Sequence, residues 1–130
     1  SLEEKIRFFF REHISFLQKN PRLVSFVLYE MNRNPERVRK IIYGLDIDKL
    51  WNTLLAQHNE EFEKYGITRE NIPQLMTSVA GMSVFPFAAR VLISNIMEKM
   101  GYNFDDYIEM RKEYAADFVI NAIKKNKAKS

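Results

Sequence analysis

The chain has no cysteine in its 130 residues. That excludes disulfide scaffolds, thiolate metal sites and cysteine nucleophiles together, and it fits a reducing compartment such as the cytoplasm. Glycine is scarce, with four scattered residues, so no Gly-rich phosphate loop exists. Histidine is scarcer still. His13 and His58 stand alone, and the Glu-x-x-His pattern of di-iron bundles does not occur. His58 and Glu61 share i, i+3 spacing, too few groups for a metal site, and no metal or other cofactor is expected. The serines form no nucleophile elbow. Ser83 and Ser94 fall inside a helical pattern, where a hydroxyl usually bonds back to the preceding turn. No enzyme activity is expected.

Other absences bear on location and partners. The start SLEEKIRFFFREH mixes charge with apolar residues, so it is no signal peptide. The longest apolar run, Val79 to Ala89, has 11 residues, where a membrane span needs about 20. Arg90 follows it, so no membrane partner is expected. A basic face is missing too. The net charge is +3, but four lysines sit in the tail Lys124–Ser130. Removing them leaves 3 − 4 = −1 for the rest. The tail reads as a solvated helix end whose lysines suit the helix dipole, not as a phosphate-binding surface.

What is present is helical punctuation and a large apolar inventory. Seventeen aromatic residues and 46% hydrophobic content can build one core without staples. Asn20-Pro21 and Asn34-Pro35 read as N-cap followed by proline in the first turn. Asp46 or Asp48, Thr68 and Asn103 mark further starts, and Gly44, Gly66 and Gly101 mark stops. No segment alternates with period two for long enough to make a strand. These signals predict six helices, over 2–19, 21–32, 35–43, 46–65, 69–100 and 104–126. On the fourth, Ile47, Leu50, Trp51, Leu54, Leu55, His58, Phe62 and Tyr65 fall on one stripe.

The fifth helix contains VAGMSVFPFAARVLISNIM, apolar nearly all round. Such a helix is either central to the domain or covered on a second face by another copy of the chain. Ala80, Gly81, Ala88 and Ala89 permit close helix approach. Pro86 removes a backbone hydrogen bond and crowds the Met82 carbonyl, so a kink is expected near 82–86.

With these residues in view, the chain resembles the C-terminal regulatory domain of TetR-family transcriptional repressors. LEEKIRFFFREHISFLQKNPRLVSFVLYEMNRNPERV, the Phe-Pro-Phe helix and the closing FDDYIEMRKEYAADFVINAIKKN carry the resemblance. It implies an all-α antiparallel orthogonal bundle of about six helices that dimerises through its last two. It implies a single domain over 1–130, with an N-terminal helix-turn-helix domain lying before Leu2. Operator DNA would be reached only through that domain. It implies an unidentified small hydrophobic or aromatic ligand, with His13, Phe16, Tyr29, Trp51, Leu55, His58, Met82, Phe85 and Pro86 as candidate ligand residues. The candidate homodimer interface is Ala88, Ala89, Leu92, Ile96, Tyr107, Arg111, Tyr114, Ala115, Phe118 and Ala122. The competing expectation is a helical protein-interaction adaptor or a carrier of apolar ligands.

Overall fold

The structure is a computed structural model that describes the backbone of residues 1–129 and the side chains of residues 1–125. The described chain is all-helical, 84% in seven helices with no strand. They are α1 (Leu2–Lys19), α2 (Leu23–Arg33), α3 (Pro35–Tyr43), α4 (Ile47–Lys64), α5 (Ile72–Ala88), α6 (Arg90–Lys99) and α7 (Phe104–Lys129). The side chains of tail residues 126–130, expected as part of a solvated helix end, lie outside the described residues. Lys124 in the same tail is tied down, with Nζ 2.9 Å from the Glu3 carboxylate.

Local chemistry explains most boundaries. Ser1 caps α1 through a reciprocal box with Glu4. Asp46 Oδ1 accepts from the Lys49 amide at 3.0 Å and starts α4. Asn103 Oδ1 accepts from the Asp105 and Asp106 amides at 2.7 and 3.2 Å and starts α7. Gly66 and Gly101 end α4 and α6 in the left-handed region, with φ of 66° and 83°. There the Ile67 and Tyr102 amides reach back to the Phe62 and Met97 carbonyls at 2.8 and 2.7 Å.

Three expected boundaries move. Asn20 closes α1 instead of opening α2: its side-chain amide donates to the Phe16 carbonyl at 2.9 Å. Pro21 and Arg22 then form a turn, and α2 begins at Leu23. Thr68 and Asn71 bond each other's backbone amides, so the next helix waits until Ile72. The single helix expected over 69–100 is two helices, bent by 72° at Ala89, where φ is −104° and ψ 31°. The expected kink at 82–86 is therefore displaced: helical geometry runs through Pro86 and fails one turn later. No single described helix is long and apolar enough to cross a membrane, and only the bent α5–α6 pair together has that length and composition.

The core sits where α1, α5 and α7 meet. Phe10, Ile14 and Leu17 of α1 pack on Ile108, Ala115, Ala116 and Val119 of α7, with Val24 and Phe87 closing the cluster. α1 and α7 run antiparallel, as the cross-pairs show: Arg7 with Asp117 at 2.8 Å and Gln18 with Glu109 at 3.2 Å. A second cluster of Phe62, Tyr65, Ile67 and Ile123 joins the end of α4 to α7. Toward its start α4 loses cover. Phe62 and Tyr65 are buried and Trp51, Leu54, Leu55 and His58 partly so, while Ile47 and Leu50 face solvent. α3 buries no residue.

Candidate functional site

Two features stand out, one on each side of α5. The first is a cavity of about 380 Å³ between α1, α4 and α5. The spacing of residues 2, 6 and 9 on α1 turns Leu2, Ile6 and Phe9 toward it. Leu75 and Val79 face it from α5, and Leu54 and Phe62 from α4. The only polar side chains in its wall are Lys5 and His58. Lys5 Nζ lies 3.2 Å from His58 Nδ1. An ammonium can only donate, so Nδ1 is the acceptor in this contact. α4 bends here, because the His58 backbone leaves helical values with φ −130° and ψ 20°.

The second feature is an outward face built from α5 and α7. Gly81, Met82, Phe118 and Ala122 line a hollow of about 590 Å³ between the two helices. Phe85 lies one turn beyond Gly81 and Tyr114 one turn before Phe118, so each shares its neighbour's side of the helix. Phe85, Tyr114 and Phe118 are 55%, 61% and 57% exposed, although all three are aromatic. The accessible surface of the chain is 9689 Å². A compact monomer of 15.5 kDa should expose only about 7,200 Å².

Between the two features α5 holds a polar seam. Ser83 is fully buried and bonds back to the Val79 and Ala80 carbonyls, both at 3.1 Å. His13 Nδ1 meets its hydroxyl at 3.0 Å. Burial holds the His13 imidazole below its usual pKa, because the charged form loses solvation. Further along, Pro86 has no N–H for the Met82 carbonyl, and Arg111 of α7 supplies the donor from Nη2 at 3.1 Å. The carbonyl freed by the proline is thus satisfied inside the chain, while Arg111 Nε is buried without a partner among the described residues.

Of the nine candidate ligand residues, only His58 lines the α1–α4–α5 cavity. Trp51 stands behind the wall, stacked on Phe62 at 5.9 Å, and Leu55 packs beside it in the second cluster. His13 belongs to the polar seam, and Pro86 is core. Met82 turns to the outer hollow, and Phe85, Phe16 and Tyr29 are exposed. Sequence reasoning missed Lys5, Phe9, Leu75 and Val79. Their i, i+3 and i, i+4 spacing was available, but two turns of α5 upstream of Pro86 had to be chosen over the proline itself.

The interface candidates divide as well. Tyr114, Phe118, Ala122 and Ala88 are outward, with Leu92 and Ile96 exposed on α6 beyond the bend. Ala89 is half-buried at the break, Tyr107 is packed against the core, and Arg111 is engaged with α5. Ala115 is corrected: it is 0% exposed in its own chain's core, because it faces α1 on the same stripe as Ile108 and Val119. Comparison with protein-family models, with curated proteins and with solved structures finds no match to the chain.

Proposed function

We propose that the chain is the dimerising, small-molecule-sensing domain of a TetR-like transcriptional regulator, a cytoplasmic protein whose DNA-reading domain lies outside these 130 residues. The observation that carries this reading is the aromatic outer face of α5 and α7. Its exposed rings and small Gly81 and Ala122 suit packing against the same two helices of a second copy, giving a four-helix interface. The chain exposes about 2,500 Å² more than a compact monomer of its mass, and the exposed rings of α5 and α7 contribute to that excess.

The cavity on the opposite side of α5 supports the sensing half. One helix then has two duties: Val79 and Met76 look into the cavity, Gly81 and Phe85 look toward the partner, and Leu75 borders both hollows. A ligand that favours one setting of α5 would shift the population of dimer geometries, and with it the spacing of any attached DNA-reading heads.

Sedimentation velocity at micromolar concentration tests the reading. The expected mass is twice 15.5 kDa, and Phe118→Glu should return it to the monomer by burying an unpaired charge. A folded wild-type chain that sediments only as a monomer overturns the dimer. Strong hydrophobic-dye binding at the same face would then favour the adaptor reading.

A further inference from the structure

We infer that the cavity between α1, α4 and α5 takes an apolar molecule with a single anionic head, a medium-length carboxylate by its size, held at the head by Lys5 and His58. This rests on the sensing reading of that cavity and adds the class of ligand. The volume, about 380 Å³, falls within the range of small-molecule sites, roughly 300–1,000 Å³. Leu54, Phe62, Leu75 and Val79 offer the body of such a molecule hydrocarbon alone.

The charge at the rim is what selects the head. Lys5 spends one of its three donors on His58 Nδ1 and pairs with no carboxylate among the described residues. No aspartate or glutamate lines the cavity. Lys5 is exposed at the mouth of the cavity, so its attraction is partly screened by water, yet its sign still favours an anion over a neutral or cationic head. His58 is the other polar side chain on the same rim. A neutral hydrophobe would gain only the apolar part, and a cationic amphiphile would be repelled.

The test titrates wild-type protein with sodium dodecanoate, dodecanol and dodecylammonium chloride below their aggregation concentrations. Fluorescence of Trp51, the only tryptophan, reads binding through its stack on Phe62. Dodecanoate should bind at least roughly ten-fold more tightly than dodecanol, and dodecylammonium most weakly. Lys5→Met should bring dodecanoate to the level of dodecanol and leave dodecanol itself within about two-fold. Val79→Phe and, independently, Ala80→Phe should weaken both by filling the cavity, with circular dichroism checking that each variant folds. Equal affinity for dodecanoate and dodecanol, or no effect of Lys5→Met, overturns the anionic head and leaves a sensing cavity standing. Failure of a folded wild-type chain to bind any probe overturns the sensing reading and this inference with it. Dodecanoate binding indifferent to both cavity-filling changes places it elsewhere and overturns the site.

Discussion

α1 and the helices of the α3–α4 arm carry comparable amphipathic patterns, yet α1 on α7 and the arm end in opposite states. α1 and α7 lie antiparallel, share the buried Phe10, Ile14, Ile108 and Ala115, and are edged by ion pairs from Arg7. The arm buries nothing on α3 and holds α4 mainly from its far end, through Phe62 and Tyr65 with Trp51, Leu54 and Leu55 packed beside them. Ile41, Ile42, Leu45, Ile47 and Leu50 remain in solvent there. Helical periodicity says that a face is apolar; it does not say that a partner has arrived to cover it. The cavity lies at the seam between the two regions, walled by α1 on the firm side and by α4 at its His58 bend on the open side.

The largest expected effect breaks the comparison most directly. Phe10→Ala, in the firm region, should cost about 3–5 kcal/mol in urea unfolding. Leu50→Ala, in the arm, should cost about 0.5 kcal/mol or less. Equal costs would mean that the arm is packed as well as the core.

The next effect tests the Pro86 seam that ties α5 to α7. Arg111→Met leaves the Met82 carbonyl without its donor and should cost about 1–3 kcal/mol. Pro86→Ala returns an amide N–H to the same helix, so the cost of Arg111→Met should shrink in that background. An unchanged cost in the double-mutant cycle would show that Arg111 does not act through the proline gap.

Gly101 is a smaller point on the firm side. Its φ of 83° is strained for any residue with a Cβ. Gly101→Ala should lower stability by about 1–2 kcal/mol, though nothing crowds the added carbon. A neutral result would mean that the α6–α7 turn relaxes freely.

The smallest effect is a pH slope from His13. Its folded pKa is lowered by burial from the ordinary 6.5. The unfolded chain therefore takes up the proton first as pH falls. Stability from this group is complete above about 6.5 and declines as pH drops from there toward the folded value. Thermal melts between pH 7.5 and 5.5 should show the decline, and His13→Gln should flatten it. A slope that survives the substitution belongs to another group.

Much of the fold was legible because its signals are local. Ser1, Asp46 and Asn103 cap helices within three residues of themselves, and Gly66 and Gly101 stop them by a single backbone angle. Asn20 and Thr68 misled, because a side chain that can cap one helix can equally finish the last turn of another or bond a loop. The site was less legible. His58 was singled out as a polar residue on an apolar stripe, and it does line the cavity. Pro86 drew the ligand residues too far along α5, since a proline marks an irregular helix without saying which neighbour answers it. Arg111 answers it from 25 residues away in sequence.

By itself the sequence determined the all-helical class, most helix ends and the apolar excess of α5. Those follow from residue type and short spacing, which act within a turn or two of the chain. Only the tertiary structure decided the rest: the 72° break at Ala89, the inward turn of Ala115, the placing of Lys5 beside His58, and the split of α5 into a cavity side and an outer side. Each of those depends on how one helix is rotated against another. A rotation of one residue, about 100°, moves a side chain from core to surface without altering any local signal.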